Sequence, residues 1–550
     1  MPSDMKSPIS LTAEDKEMNM AAAHVPERWR GTEEDRLQMK VLGRVQETRR
    51  MFTFVSMLGF GSTLMVTWEA ILANMLAILT NGGTAGLFWG FVIVVTGYIF
   101  VYLSLAEMAS MSSIDFLGNR HRHLEANTTV RRSTTLTFDG VSEFAPPRAQ
   151  RFLSYIVGWL CFTGWQSAIT GIGFLAGTII QGLIVLNNPD YDFQRWHGTL
   201  LTIAVVAFCV LLNTVVARKL PLIEGALAVL HFAGLFVVII ILWTLAPKNN
   251  AHDAFLVFSN NGGWSSDAAS MLIGLYPLTL CLLGFDSQVH MSEEIESASR
   301  GLPRSIMWST YANATLGFIM VITLIFTWGD MSEIIQTPTG FPFLAMFYNT
   351  TNSLAATNVL SLLIILPLIG SVTACVATAS RQIWAFSRDN GVPWSSFIRH
   401  VYPKWNIPLN AVLISLVVCV LLSLINIGST AALNAILALD LASLLASYSI
   451  CIGCLALKRI RGEELPPRQW TLGRWGLTVN ILALLWLLPI FVLTLFPSVT
   501  PVTPATMNWA VLLFVFVVVF AIGYYMIIGR HVYISPKERL RRDIQMDDTK

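Results

Sequence analysis

The chain of 550 residues is poor in charge. Only 13% of its residues are charged, about half the share of an average soluble domain, while 54% are hydrophobic. The formal net charge is +2, so no excess of one sign indicates a nucleic-acid partner. This composition excludes a string of soluble domains and is typical of an integral membrane protein in contact with a lipid bilayer.

Cysteine is scarce, and its positions do not suit disulfide bonds. All seven cysteines lie within hydrophobic runs, whereas structural disulfides join segments in oxidising, exposed surroundings. Cys451 and Cys454 form a CxxC pair, which on a hydrophobic segment is weak evidence for a redox or metal site. No nucleophile–base constellation or phosphate-binding loop is present, so we expect no enzyme, no cofactor and no metal. The first 50 residues are polar and charged, so we expect no signal peptide.

Twelve hydrophobic segments have the length, or nearly the length, of about 20 residues that crosses a bilayer. They should be helices, because a chain in lipid must satisfy its backbone within each segment, and the alternation of barrel strands is absent. We therefore predict an all-α polytopic membrane protein with a transporter domain at 51–529, between polar tails at 1–50 and 530–550. The segments lie near residues 52–79, 84–111, 152–184, 198–217, 221–246, 272–296, 305–329, 353–379, 409–428, 431–457, 477–496 and 507–529.

Lysine and arginine are almost missing from every second connection between these segments. If the N-terminus is cytoplasmic, 34 of the 36 basic residues fall on the cytoplasmic side, and only Arg195 and Lys248 fall outside. Basic residues concentrate in cytoplasmic loops. The pattern predicts twelve spans with both termini in the cytoplasm, and we expect the plasma membrane as the location.

Two of the twelve segments are interrupted by glycine. The first contains Gly59-Phe60-Gly61-Ser62, and the sixth becomes polar at Gly284-Phe285-Asp286 after only about 15 mainly hydrophobic residues. They run in opposite directions and lead two units of five segments, 1–5 within 52–246 and 6–10 within 272–457. Discontinuous helices at matching positions of inverted repeats point to a transporter substrate site. The alternative is that the glycines only allow close helix packing.

A helix break exposes backbone N–H groups that suit a carboxylate and C=O groups that suit an ammonium. This chemistry fits a small zwitterionic or cationic solute. Phenylalanine beside each break could stack on an ammonium, and Asp286 could pair with it. The predicted substrate-binding residues are Gly59, Phe60, Gly61, Ser62, Gly284, Phe285 and Asp286.

Ionisable residues within membrane spans are costly and are functional by default. Glu69, Glu224 and His231 are candidates for coupling to protons, since histidine titrates near neutral pH. The alternative for His231 is a polar core residue that is hydrogen-bonded across helices. Asp440 is either a coupling-ion site or a structural hydrogen-bonding group. Glu107, Glu293 and Glu294 lie nearer the cytoplasmic ends and are expected to pair with basic residues there.

Several long stretches resemble the amino acid/polyamine/organocation superfamily, and within it the fungal amino acid/choline transporter family of GABA and choline permeases. They include "GFGSTLMVTWEAILANMLAILTNGGTAGLFWGF", "SLAEMASM", "LPLIEGALAVLHFAGLF", "GFDSQVHMSEEIESASRGLPRSI" and "ASRQIWAFSRDNGVPWSSFIRHV". The resemblance implies a five-plus-five inverted repeat with two added helices, and proton-driven uptake. It also implies that Gly59, Gly61 and Ser62 line the anion side of the site, that Phe285 and Asp286 line the amine side, and that His231 couples protons.

The chain departs from this family at residues 112–140, where the sequence "SSIDFLGNRHRHLEANTTVRRSTTLTFDG" replaces a short family segment. Its cluster Arg120-His121-Arg122-His123 is interpreted as part of a solvated basic loop, with a metal or lipid-headgroup site as the alternative. We expect a secondary active transporter, or permease, for amino acids or related small nitrogenous solutes. The alternatives are a nutrient sensor on the same fold that does not transport, and an inactive product of a wrong splice junction at 112–140.

Overall fold

The computed structural model describes residues 49–112, 136–295, 298–329, 334–402, 406–428, 431–466, 468 and 470–535. Most of both predicted tails and residues 113–135, with the Arg120–His123 cluster, lie outside these ranges. The described residues are almost entirely helical and contain isolated β-bridges but no strand. The all-α prediction is confirmed.

The α-helices number twenty-one over the described ranges. In chain order they are α1 Phe54–Met65, α2 Thr67–Ala73, α3 Met75–Thr80, α4 Gly83–Ser112, α5 Leu136–Phe144, α6 Gln150–Asn187, α7 Arg195–Thr214, α8 Leu220–Leu245, α9 Ala251–Leu256, α10 Asp267–Leu280, α11 Ser287–His290, α12 Ala298–Thr327, α13 Pro342–Thr351, α14 Leu354–Arg388, α15 Ser395–Ile398, α16 Leu409–Ser423, α17 Ile425–Gly428, α18 Ala432–Ile460, α19 Gly476–Thr494, α20 Ala510–Tyr524 and α21 Arg530–Val532.

Within the described residues, eleven helical stretches are long and hydrophobic enough to cross a membrane. They correspond to all the predicted segments except the sixth. The sixth is represented by α10, an apolar helix of 14 residues that is too short to span, followed after a break by α11. The short sixth helix that the sequence predicted is therefore confirmed.

Helix packing follows the order expected of two five-helix units. The second span, α4, packs on the seventh, α12, and the third span, α6, packs on the eighth, α14. The fourth span, α7, packs on α14, and α6 packs on the ninth span, α16. The first two of these contacts join matching spans of the two units, and the last two are related by exchanging the units, which is the relation that an internal repeat imposes.

The first span is discontinuous, but the predicted position of its break is wrong. Residues Gly59–Ser62 lie inside the continuous helix α1, and the break comes at Val66, whose φ of 38° and ψ of 45° are left-handed. A β-branched residue rarely adopts this conformation. The glycines therefore do not mark the break.

Side chains of later spans stabilise the break of the first span by hydrogen-bonding to its backbone. Asn313 on α12 accepts a hydrogen bond from the Thr67 N–H at 3.3 Å and donates one to the Ser62 carbonyl at 3.4 Å. Ser371 on α14 donates to the Leu64 carbonyl at 2.6 Å. Because the backbone groups freed by the break find these partners, the cost of breaking a helix inside the bundle is offset.

Candidate functional site

The breaks of the first and sixth spans meet at one cavity in the centre of the bundle. Leu64, Met65 and Val66 line it from the first span, and Leu283 and Gly284 from the sixth. The third, eighth and tenth spans, α6, α14 and α18, complete its wall. The cavity has a volume of about 50 Å³. The two discontinuous helices therefore converge as the sequence predicted, although at Leu64–Val66 instead of Gly59–Ser62.

Two polar side chains that line the central cavity are buried and have an atom without a hydrogen-bond partner. One is Trp165 on α6, whose indole nitrogen Nε1 has no partner among the described residues. The other is Asp440 on α18, whose carboxylate oxygen Oδ1 has none in the same part of the chain. The sequence leaves Asp440 open between a coupling-ion site and a structural group, and it does not single out Trp165. An acidic residue in a hydrophobic span was the available signal for Asp440; nothing in the sequence distinguishes Trp165 from the other tryptophans.

A larger vestibule of about 330 Å³ adjoins the central cavity. Asn74, Leu175 and Leu437 line both spaces. The vestibule is bounded by the start of α18 and by the connection between α19 and α20. The central cavity is thus separated from the vestibule at one end of the bundle only by residues that line both spaces.

The opposite end of the bundle is closed by buried ion pairs. Glu294 lies 2.8 Å from Arg381, and Glu293 lies 2.5 Å from Arg388. Both pairs join the end of the sixth span, which follows α11, to the end of α14. We call this end the basic face.

The strand-like start of the first span lies against these pairs. The Met51 and Phe52 N–H groups donate to the Glu294 carbonyl at 2.9 and 3.0 Å, and the Arg50 guanidinium donates to the Ile295 carbonyl at 2.6 Å. The chain ahead of α1 is thereby fastened to the sixth span at the basic face. These contacts join the first and sixth spans at the basic face. A path from the central cavity to this face would have to open between the same two spans.

Glu107 at the inner end of α4 forms a second group of ion pairs. It lies 2.5 Å from Arg459 and 3.1 Å from Arg468, and it accepts from the Leu472 N–H at 3.1 Å. The prediction that Glu107, Glu293 and Glu294 pair with basic residues is confirmed. Buried pairs of this kind are expensive to break by removing one partner.

The predicted residues of the first span lie outside the cavity lining. Phe60 is fully buried and packs edge-on against Phe52, with ring centroids 5.7 Å apart. A Cβ on Gly61 would lie 1.7 Å from Nε2 of Gln288, so Gly61 admits close packing of α1 on the inner half of the sixth span. A Cβ on Gly59 would make only an ordinary contact with Ala228, at 3.5 Å. This geometry supports the packing alternative for Gly61.

In the sixth span, Gly284 is the predicted residue that lines the cavity. Its φ of 97° is left-handed, and a Cβ there would lie 2.4 Å from Cδ2 of Leu64 across the two breaks. Phe285 instead points away and packs against Tyr102, with ring centroids 4.3 Å apart. The expectation that Phe60 and Phe285 face a bound ammonium does not fit these contacts.

Asp286 is buried beside the cavity in a polar cluster. Its Oδ1 accepts a hydrogen bond from the Tyr448 hydroxyl at 2.5 Å, and its Oδ2 lies 3.5 Å from Nε2 of His290. The ring of His290 is 5.9 Å from that of Trp165, which lines the cavity. Asp286 is therefore linked to the cavity wall through its neighbours and does not line it directly.

The candidates for proton coupling lie in two separate contacts between the first and fifth spans. His231 on α8 lies 2.8 Å from Glu69 on α2, and both are fully buried. Glu224, two helical turns earlier on α8, accepts a hydrogen bond from Thr63 on α1 at 2.6 Å. Thr63 and Glu69 flank the break at Val66 on either side. The structure thus brings all three candidates together beside the break, on the face of α8 that packs on the first span.

Sequence comparisons agree with this architecture. A protein of Macrophomina phaseolina named "Putative amino acid/polyamine transporter" is 28% identical over 82% of this chain and 96% of its own length. A choline transporter of Saccharomyces cerevisiae is 26% identical over 89% of this chain and 83% of its own. A polyamine transporter of the same yeast is 25% identical over 88% of this chain and 76% of its own.

The family model described as "Amino acid permease" matches residues 139–519, more than two thirds of the chain. The matched region holds the third to eleventh spans and the first part of the twelfth, with Asp286, His231 and Asp440. It begins at the end of the unusual segment 112–140. With the many hydrophobic spans, this match makes the chain an integral, multi-pass membrane protein. The chain belongs to the amino acid permease family.

Proposed function

We propose that this protein is a secondary active transporter that moves a small nitrogenous solute, of the amino acid, choline or polyamine kind, by alternating access. The observation that carries the proposal is the central cavity between two broken helices. It adjoins a vestibule at one end of the bundle, whereas ion pairs close the other end. A site that reaches only one side at a time is what alternating access requires.

The basic face is proposed to be cytoplasmic, because basic residues concentrate on that side of membrane proteins. The vestibule would then open to the outside, and both tails would lie in the cytoplasm. In this orientation the conformation described is ready to receive a solute from outside. We place the protein in the plasma membrane and assign it uptake.

Protons are proposed to drive this uptake through Glu69, His231 and Glu224. Support comes from their position: they are buried in pairs on both sides of the break in the first span. A change of charge there would alter the contacts between the first and fifth spans, α1–α2 and α8. This is a physical route by which a proton could change the shape of the cavity wall.

The function is tested by reconstituting the purified full-length protein in liposomes and measuring uptake of labelled choline, putrescine, GABA and glutamine. An inward proton gradient should drive at least one of them above its equilibrium level, and a proton ionophore should abolish the accumulation. Accumulation of none, by protein that stays monodisperse and folded, would overturn the proposal. Binding without flux would instead favour the nutrient sensor.

A further inference from the structure

The central cavity contains a single charged side chain among the described residues that line it. This is Asp440, which is 3% exposed and has no hydrogen-bond partner for Oδ1 in the described part of the chain. No Lys, Arg or His lines the cavity there. A carboxylate withdrawn from water without a partner is strongly unfavourable, and within a membrane it marks an ion or substrate path. A positive group in the cavity would therefore stabilise the ionised form of Asp440.

Trp165 provides a second feature that suits a cation. It lines the cavity, and it follows Gly164, at which a Cβ would lie 3.5 Å from the Asp440 carbonyl. The backbones of α6 and α18 thus approach closely next to Trp165 and at Asp440. Aromatic faces attract ammonium groups, and tryptophan does so most strongly.

The groups that would bind a carboxylate at the break of the first span are already occupied. The Val66 N–H donates to the Ser62 carbonyl at 3.2 Å, and the Thr67 N–H donates to Asn313. A solute carboxylate placed here could not bind these N–H groups, because they already donate to Ser62 and Asn313. Ionised Asp440 would also repel it. Nε1 of Trp165, the unpaired donor on the described lining, can serve a hydroxyl group, so the negative charge of Asp440 makes the cavity wall favour a cation over a zwitterion.

The size of the cavity fits a compact head group. One water needs about 10–15 Å³ of such volume, so a cavity of about 50 Å³ accommodates only a few atoms of that size. The remainder of a longer solute would extend past Asn74, Leu175 and Leu437 into the vestibule, which these residues also line.

We propose that the central cavity selects organic cations that lack a carboxylate, with Asp440 as the counter-charge to a quaternary or primary ammonium. This inference rests on the proposed function and narrows its substrate class. Asp440 is then the residue that determines specificity for charge.

The test compares choline with glycine betaine, which carry the same trimethylammonium and differ in a hydroxymethyl against a carboxylate. Binding to purified full-length protein in detergent is measured by displacement of labelled choline, with tetramethylammonium and GABA as further competitors. Choline and tetramethylammonium should compete, and betaine and GABA should bind at least about 10-fold more weakly because Asp440 repels their carboxylates. Asp440→Asn should weaken choline binding by about 10-fold or more.

Asp267→Asn is the matched control, because it makes the same change at an exposed position that does not line either space. Asp440→Glu keeps the charge and should retain measurable choline binding, which guards against misfolding of the asparagine variant. Betaine or GABA binding as tightly as choline, wild-type choline affinity in Asp440→Asn, or no binding of any cation by folded wild-type protein would each overturn the inference. Choline binding through Asp440 without flux in liposomes would leave it standing and would overturn only the proposal of transport.

Discussion

Glu69 and His231 form a fully buried pair across the first and fifth spans, with Oε1 of the carboxylate 2.8 Å from Nδ1 of the imidazole. Glu69 lies three residues after the left-handed Val66, so the pair is attached directly to the shorter half of the broken helix. The indole of Trp68 donates to the His231 carbonyl at 3.1 Å and fixes the same turn of α8. In the proposed mechanism, a proton exchanged at this pair would act on the helix α2, which follows the break at the cavity.

Glu69→Gln should make solute uptake independent of the proton gradient. Hydrogen bonds to charged groups contribute about 1.5–3 kcal/mol, and the neutral amide cannot exchange the proton. Wild-type uptake should rise as the outside pH falls from about 7.5 to about 5.5, whereas the variant should lose this dependence but still exchange solute for solute. Glu463→Gln, at an exposed residue, is the control. Unchanged pH dependence in both Glu69→Gln and His231→Gln would remove the pair from coupling.

Arg381→Gln should strongly destabilise the closed basic face. It leaves Glu294 buried without its ion-pair partner, and breaking a buried pair in this way costs about 3–5 kcal/mol. Thermal unfolding of the purified protein in detergent measures the effect. The control is Arg461→Gln, whose pair with Glu463 is about half exposed at 3.8 Å and should contribute under about 1 kcal/mol. Equal losses of thermal stability in the two variants would show that the Arg381–Glu294 pair contributes no more than the exposed one.

Gly284→Ala should reduce transport by about 10-fold or more, because a side chain is strained at a φ of 97° and its Cβ would collide with Leu64. Strain of this kind costs about 1–3 kcal/mol, and the collision pushes the two breaks apart. Initial uptake rates are compared at matched expression. Gly225→Ala, where a Cβ meets nothing within 4 Å, is the matched control and should behave as wild type. Normal uptake in Gly284→Ala would contradict the meeting of the two breaks.

Gly61→Ala and Gly59→Ala separate packing from substrate binding in the first span. The Cβ at residue 61 would overlap the Gln288 side chain, whereas the one at residue 59 makes an ordinary contact. We expect Gly61→Ala to lower the melting temperature by several degrees and Gly59→Ala to leave it unchanged. Solute affinity is measured for both. Reduced affinity in Gly59→Ala at unchanged stability would support the binding role predicted for it from the sequence.

Asp286→Asn should abolish uptake while the protein still reaches the membrane. The change removes the charge that faces Tyr448 and His290 beside the cavity. Tyr448→Phe removes only the hydroxyl that donates to Asp286 and should reduce uptake less. Surface labelling checks the amount of protein in the membrane. Wild-type uptake in Asp286→Asn would exclude this carboxylate from the site.

The spans were predictable because hydrophobic length is a local property of the sequence. The same holds for the sixth span, where the apolar run ends early at Gly284 and a charge follows. The pairing of Glu107, Glu293 and Glu294 with basic residues was also predictable, since all of them lie at the ends of spans on the side rich in arginine.

The break of the first span was not predictable from its glycines. It occurs at Val66, a residue that by itself disfavours the left-handed conformation, and it is sustained by Asn313 and Ser371, which lie 246 or more residues away in sequence. Likewise, the sequence shows that Asp440 is an acid within a span but not which side of α18 faces the cavity. Phe285 was assigned to the cavity from its neighbours, while its contacts with Tyr102 are decided by packing.

Asn313 bridges the two halves of the first span across its break. Its amide bonds to Ser62 on one side of the bend and to Thr67 on the other, and it does so from α12. The angle between α1 and α2 is thereby fixed to the seventh span. We expect the first and seventh spans to tilt together as one rigid piece when the protein changes its open side, with the hinge at the ends of this piece and not at the break itself.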